Sequence, residues 1–340
     1  MGPGAPEDGG WAVTEIRGEI LQALRQAGDR FVSGEELGQR FGISRTAVWK
    51  HIQALQGVGY PIEAVRNRGY RLREEGEELR PEAIQAGLAT NVFGRHMTVL
   101  ETVDSTNRYA FAEAEGGAPE GYTVLAERQT AGRGRRGRPW FSPPGHGIWM
   151  SVVLRPTFPV FRAPQLTLMA AVSVAEVIRE RAGVSVGIKW PNDLLLPDGR
   201  KVCGILSEMS AEAEEIRFIV LGIGVNVFGR VEDFPPELRG VAGSLAEPGS
   251  PISRTALIQG LLGRLETDYR IYQNEGFRAF RERWERLNVS LGRRIAVQTQ
   301  SGQKIGWARR IDDDGALWVE TDEGHLEKII SAEVIFDPGS

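Results

Sequence analysis

The stretch Gln129-Thr130-Ala131-Gly132-Arg133-Gly134-Arg135-Arg136-Gly137-Arg138-Pro139-Trp140, followed about fifty residues on by Lys189-Trp190-Pro191-Asn192-Asp193, decides how this chain is read. Fixed positive charges this close together repel, and glycine loses more freedom on ordering than any other residue, so such a loop is costly to keep empty. It suits an anion that arrives, is enclosed and leaves. Gly132 to Gly137 match G-x-G-x-x-G by letter, but a dinucleotide loop opens a helix whose N-terminus faces the pyrophosphate. Pro139, Pro143, Pro144, Gly145 and Gly147 follow at once, so no helix starts there and the match is accidental. A solvated basic loop is the plainer alternative, and it weakens as the flanking segments are added.

Around this loop, residues 83–285 alternate apolar strands with helices. Asp104-Ser105-Thr106-Asn107 falls between a strand at 97–100 and a helix at 108–114. Its short polar side chains either cap the helix or grip the head of a polar neutral ligand. Residues 147–154 read as a strand, 166–181 as a long amphipathic helix and 184–189 as a strand that Pro191 ends, gathering Lys189, Asn192 and Asp193 at its tip. Residues 200–208 turn back as a hairpin, and Leu221-Gly222-Ile223-Gly224-Val225-Asn226 is a strand with glycines on one face. Such glycines mean either packing against another element or a close approach to the backbone.

Upstream, Ile16, Ile20, Leu21 and Leu24 recur at helical spacing before Gly28; Ser33 then caps a helix ended by Phe41-Gly42, and Ser44 caps another over 45–55. Two short strands, 60–65 and 69–72, flank Arg66-Asn67-Arg68 as a wing. This is a winged helix-turn-helix over 13–73, with Arg45, Thr46, Trp49, Lys50, Arg66 and Arg68 as DNA-contacting candidates. Residues 13–73 carry ten Lys or Arg against six acids, about +4, in a chain of net charge −4. A basic unit on an acidic body points to nucleic acid at that end alone. Trp49 as core and a protein-interaction module are the competing readings. Residues 1–12 read as a disordered tail and the charged stretch 74–82 as a linker. Downstream, short strands over 286–338 read as an SH3-like barrel. There Asp312-Asp313-Asp314-Gly315 is a hairpin turn without the further ligands of a calcium loop.

At 340 residues, two or three domains are expected. No run reaches the roughly eighteen apolar residues of a membrane span, and the first ten residues lack the basic and apolar parts of a signal peptide, so a cytoplasmic protein without membrane attachment is expected. Cys203, the only cysteine, excludes an intramolecular disulfide and reads as buried, and four scattered histidines argue against a metal site.

Together these segments resemble the biotin protein ligases. With the winged helix included, residues 13–337 resemble the bifunctional ligases that also repress the biotin operon. The resemblance implies an α+β multidomain fold whose central mixed sheet is related to class II aminoacyl-tRNA synthetases, and an enzyme that makes biotinoyl-AMP from biotin and ATP. It further implies transfer of biotin to a lysine of a carboxylase biotin carrier domain, operator DNA as a partner and a homodimer when the adenylate is bound. By the same resemblance, Ser105, Thr106, Asn107 and Gln129 hold the biotin ring, with Gly204 in the floor. Arg133, Gly134 and Arg135 close over its carboxylate and the phosphates, Trp140 walls the tail, and Lys201 meets carboxylate and α-phosphate. Lys189 and Arg138 serve the phosphates, Asn192 and Asn226 the adenine, and Gly222 and Gly224 the adenylate floor. The chemistry needs no protein nucleophile, because bringing two anions together takes guanidinium and ammonium groups. Mg2+ would come in on the phosphates. Asp193 is the candidate to orient or deprotonate the acceptor lysine. Where relatives close the adenine side with a loop that can carry tryptophan, Arg239-Gly240-Val241-Ala242-Gly243-Ser244-Leu245 has small residues. Two other readings are a ligase with a non-regulatory N-terminal domain and a ligand-sensing transcription factor without ligase activity.

Overall fold

The computed structural model describes residues 9–28, 30–57, 60–66, 68–72, 78–212, 215–299 and 302–336. The chain divides into two compact units, Met1–Glu77 with Glu247–Ser253, and Glu78–Ala246 with Arg254–Ser340.

In the first unit, α1 (Gly9–Ala27) is followed by Gly28 in the left-handed region, φ 54°. Residues 9–12 are therefore helical, which corrects the tail expected there; residues 1–8 lie outside the described residues. Ser33 Oγ accepts the Glu36 N–H at the start of α2 (Gly34–Phe41), and Ser44 Oγ accepts that of Ala47 at the start of α3 (Arg45–Gly57). Both caps satisfy donors that a helix start leaves unpaired. Between them Gly42 takes φ 67°, and the turn is so tight that a Cβ on Gly38 would lie 2.7 Å from the Ile43 carbonyl. Val48, Ile52 and Leu55 of α3 close the core with Ile20, Leu24 and Leu37. The wing is the antiparallel pair β1 (Ile62–Val65) and β2 (Gly69–Leu72), in register Ile62 with Leu72. Asn67, expected at its tip, lies outside the described residues.

Of the expected linker, residues 74–77 lie outside the described residues, and 78–82 already belong to the second unit. Leu79 is buried with its N–H on Glu127, and α4 (Pro81–Ala86) starts on a proline, which needs no N–H at a first helical turn. The linker reading followed charge alone and missed Leu79 as an anchor.

Seven strands form the central sheet: β3 (Met97–Val103), β4 (Thr123–Gln129), β5 (Gly147–Leu154), β6 (Gly187–Lys189), β7 (Asp193–Leu195), β8 (Lys201–Glu212) and β9 (Glu215–Asn226). Their order is β3-β4-β5-β9-β8-β7-β6, with β3 and β4 parallel and the other pairs antiparallel. Between β3 and β4 runs α5 (Thr106–Glu115). The next helix, α6 (Leu166–Val177), is not amphipathic as expected. Glu176 is its only residue that is not buried, because α6 packs on the sheet side of α7 (Arg254–Glu275) and α8 (Arg281–Leu287). This explains why Val160–Ala182 passes for a membrane span by length and composition, a point the run-length reading missed, while 78% of that apolar window is buried in the fold.

The C-terminal strands β10 (Arg294–Thr299), β11 (Gly302–Ile311), β12 (Leu317–Thr321), β13 (Leu326–Ile329) and β14 (Glu333–Phe336) make one antiparallel sheet, order β13-β12-β11-β10-β14. Asp312 is a turn residue, its Oδ1 accepting the N–H groups of Asp314 and Ala316 between β11 and β12. The Trp190 indole N–H donates to the Gly315 carbonyl and Val289 N–H to that of Ile188, so this sheet is docked beside β6.

Glu266, on α7 and 5% exposed, accepts the N–H groups of Asn91, Val92 and Phe93 at 2.7–3.1 Å. Burial opposes its ionisation, but these donors and Arg270 together hold it below the ordinary value of 4.5. Its contribution is thus complete above pH 4.5 and drains as pH falls below it. Glu266→Gln should cost about 2–3 kcal/mol at pH 7, the scale of charged hydrogen bonds lost in a buried site. Melting curves from pH 7 to 3 should show the gap between parent and variant narrowing.

Candidate active site

Strand ends of the central sheet, the arginine loop and β14 enclose a cavity of about 570 Å³. At one end stands the N-terminus of α5. Its N-cap residue, Ser105, makes no side-chain cap bond, so the capping alternative is not realised. Instead the Thr106 N–H and hydroxyl both lie on Gln129 Oε1, at 2.9 and 3.1 Å, and Gln129 Nε2 donates to Ser142 Oγ. Ser105, Thr106 and Asn107 are each buried. The result is an uncharged, hydrogen-bonding end to the cavity.

The arginine loop opens no helix. It makes one 3-10 turn, Arg135–Gly137, broken by Arg136 at φ 56°, and is pinched by Gly134 N–H to the Arg138 carbonyl and Trp140 N–H to that of Gly132. The sequence reading held that its clustered charges would repel when unliganded, yet acceptors within the fold meet each of them. Arg133 pairs with Glu208 at 2.9 Å, and Arg138 donates to Glu333 at 2.6 Å. Arg135 donates to Asn192 Oδ1, Ser331 Oγ and the Ala332 carbonyl, and Arg136 to the Gln298 carbonyl. Burial draws the Arg135 guanidinium below its ordinary value.

The glycines of β8 and β9 are explained by close approach. Gly204 faces Gly224 across the strand pair, and the Trp140 indole lies on both; a Cβ on Gly224 would sit 2.6 Å from its Nε1, and one on Gly222 2.0 Å from Asn107 Oδ1. Trp140 Nε1 and Arg133 Nε are buried without a hydrogen-bond partner among the described residues. Lys201 Nζ is 2.7 Å from Asp193 and 5.2 Å from the Trp140 ring. Asp193, the expected base, is therefore spent on holding that ammonium. Lys189 lies over the Phe336 ring at 4.9 Å, and burial lowers its pKa. Asn192 and Asn226 line the wall with their amides on the Ile205 and Gly243 carbonyls. The small-residue loop over 239–245 is laid along β8 by Lys201 N–H to the Val241 carbonyl and Gly243 N–H to that of Lys201. Cys203 is buried, its thiol pushed up by desolvation, and is no nucleophile.

In the first unit, Arg45, Thr46, Trp49 and Lys50 form the exposed face of α3, with Trp49 52% exposed, which rejects its reading as core. Arg66 and Arg68 are exposed on the wing, Arg68 stacked on Phe31 at 4.3 Å.

A model of the biotin/lipoate A/B protein ligase family matches residues 99–226, an HTH domain model residues 17–71, and a biotin protein ligase C terminal domain model residues 290–337. Over 320 residues the chain is 44% identical to the bifunctional ligase/repressor BirA of Bacillus subtilis (strain 168), spanning 94% of this chain and 98% of that one. The chain belongs to the bifunctional ligase/repressor family. Its identity to the family member of Escherichia coli (strain K12) is 36% over 301 residues, 87% of this chain and 90% of that one. Among solved structures, biotin protein ligase from Aquifex aeolicus in complex with biotin and ATP is similar, with TM-score 0.62 and 28% identity over 72% of this chain and all of that one.

The cavity lining includes every candidate that sequence reading gave this ligase/repressor family member for its ligand site. What that reading missed are the partners: Glu208, Ser151, Ser331, Glu333 and Phe336. A carboxylate such as Glu208, half-buried on β8, is the kind of signal that could have pointed to a cation's partner. Because Gly224→Ala would press a methyl into the Trp140 indole, it should cost about 1–3 kcal/mol by overpacking. Gly263→Ala on α7, with open space around it, should leave the melting temperature unchanged or raised.

Proposed function

We propose that this protein activates biotin with ATP and transfers it to a lysine of the biotin carrier domain of a carboxylase, and that its adenylate-bound homodimer represses biotin synthesis genes. The observation that carries this is one cavity with an uncharged hydrogen-bonding end, Ser105 to Asn107 with Gln129, and a cationic end, Arg133, Arg135, Lys189 and Lys201. That polarity suits a neutral ring bearing a carboxylate tail beside a triphosphate. The Aquifex aeolicus ligase with biotin and ATP supports the same pairing of ligands.

A carboxylate oxygen of biotin bonds to the α-phosphorus, the α–β bridging bond breaks, and pyrophosphate leaves. The cations offset the repulsion of the two anions and the charge gathered at phosphorus. The acceptor lysine amine then attacks the acyl carbon, and AMP departs with the bonding pair. Asp193 keeps Lys201 aimed at the carboxylate; Lys189 and Arg138 bind phosphate oxygens; Asn192 and Asn226 face the adenine. The cavity's Asp193 and Glu333 are both in ion pairs, and no cluster of metal-ligating side chains occurs among the described residues. The residues thus do not make a magnesium site of their own, and Mg2+ would arrive on the nucleotide. A repressor acts where the DNA is, which supports a cytoplasmic site of action, and 78% of the apolar window within 160–182 is buried in the fold.

Lys201→Ala should lose about 2–4 kcal/mol of transition-state stabilisation, the scale of one preorganised donor. Biotin-dependent ATP–pyrophosphate exchange measures it, and unchanged exchange overturns the assignment.

A ligand shifts an equilibrium only through differential affinity, so the adenylate must favour the DNA-competent form. Operator titration with biotin and ATP should tighten binding about 5- to 150-fold. Arg45→Ala and Lys50→Ala should weaken DNA binding and spare ligation. Equal affinity with and without the substrates would leave a ligase whose winged helix does not regulate.

A further inference from the structure

The first unit holds an aromatic side chain whose position its own core does not explain. Phe31, two residues ahead of the Ser33 cap, is half-buried, yet it is not among the side chains that pack against Ile20, Leu24, Leu37 and Ile52. Two guanidinium groups of the wing lie over its ring instead, Arg68 at 4.3 Å and Arg71 at 4.7 Å from the centroid.

The backbone brings ring and wing together. Val32 and Tyr70 each donate an N–H to the other's carbonyl at 2.8 Å, so the segment before α2 is paired to β2. Gly69 permits this approach: it takes φ 108°, and a Cβ there would lie 2.2 Å from the Val32 carbonyl oxygen.

The two arginines differ in what else holds them. Arg71 donates to Glu63 at 2.6 Å, which offsets its charge. Arg68 is exposed, and its guanidinium makes no hydrogen bond or ion pair among the described residues. A carboxylate partner would occupy N–H donors, whereas an aromatic face attracts the cation and leaves the donors on the guanidinium edge unused. An arginine held in this way has given up part of its rotamer freedom beforehand and keeps its fork for another acceptor. On a basic unit that matches an HTH domain model, the acceptor suited to that fork is a phosphate of the DNA backbone.

We propose that Phe31 is a positioning residue for DNA binding: its ring presents the Arg68 guanidinium, donors free, to a backbone phosphate beside the groove that α3 enters. The inference rests on the reading that the winged helix binds operator DNA and that Arg68 takes part.

The probe is a duplex selected from a random pool by the full chain with biotin and ATP, titrated over a series of salt concentrations. Arg68→Ala should weaken binding and flatten the slope of log K against log salt by about one for each wing engaged, the signature of a lost phosphate contact. Phe31→Leu should weaken binding about two- to fivefold per wing and leave that slope, because the same phosphate is met by an arginine that must first be ordered. In a chain already carrying Arg68→Ala, Phe31→Leu should cost less than about 1.5-fold, since the ring then has no donor to present. Phe31→Tyr keeps the aromatic face and should bind within about twofold of the parent. A Phe31→Leu chain that binds like the parent, or one that loses as much without Arg68 as with it, overturns the proposal; the second result is what a merely structural role produces. An Arg68→Ala loss with an unchanged slope overturns it too. If Phe31→Leu does not fold, Phe31→Met is judged by the same comparison. A parent that selects no duplex sinks the regulatory reading and this inference together; a parent that binds while Arg68→Ala matches it in affinity and slope sinks this inference and leaves the regulatory reading standing.

Discussion

Mutual repulsion of the cations around one cavity is the constraint on which the rest of the second unit depends. Arg133, Arg135, Arg136, Arg138, Lys189 and Lys201 all line it, and like charges gathered around one cavity repel unless offset. Each is offset by acceptors within the unit, Glu333 meeting both Arg136 and Arg138 and the Gln298 carbonyl also taking Arg136. Glu208 comes from β8, Asp193 from β7, Asn192 from the turn before it, Ser331, Ala332 and Glu333 from the edge of the C-terminal sheet, and the Phe336 ring gives Lys189 its electron-rich face. The fold delivers these acceptors to one place.

Glycine makes the opposite contribution, by leaving things out. Gly204, Gly222 and Gly224 strip side chains from the middle of β8 and β9, so Trp140 and Asn107 can lie directly on the backbone. The floor is flat because the sheet has nothing to raise there. On β4, Gln129 faces the uncharged end of the cavity while Glu127, two residues earlier, takes both the Leu79 N–H and the buried Arg254 guanidinium. One strand thereby fixes the pocket and the two points at which the chain enters the second unit.

How much of this could be read from sequence followed the range of the interactions. The Ser33 and Ser44 caps and the Gly42 turn are set by residues within five positions and the wing pairing by residues within ten, and they were legible, the first wing strand starting two residues later than read. The arginine loop and Lys189 were legible as chemistry because residue type alone carries charge. Their acceptors were not: Arg133 and Glu208 are 75 positions apart, and Arg138 and Glu333 are 195 apart. Helix α6 was misjudged for a related reason. A stripe pattern presumes one wet face, and the burial of Thr167 and Ser173 beside its apolar residues depends on α7 and α8, far along the chain. Residues 9–12 are helical where Gly9 and Gly10 suggest a loop, and 78–82 were misjudged because charge suggests a linker, while Leu79 answers to tertiary packing.

The sheet formed by β10 to β14 has its own match as a separate domain, and by that measure it is a module that recombination could exchange. It nevertheless supplies Gln298, Ser331, Ala332 and Glu333 as acceptors for the arginine loop. A chain that acquired a foreign domain of the same fold at this position would inherit a correctly shaped neighbour and an unbalanced loop. A change at Arg135, Arg138, Ser331 or Glu333 alone therefore leaves a cation or an acceptor at the seam unmatched, so a substitution in one module is felt in the other.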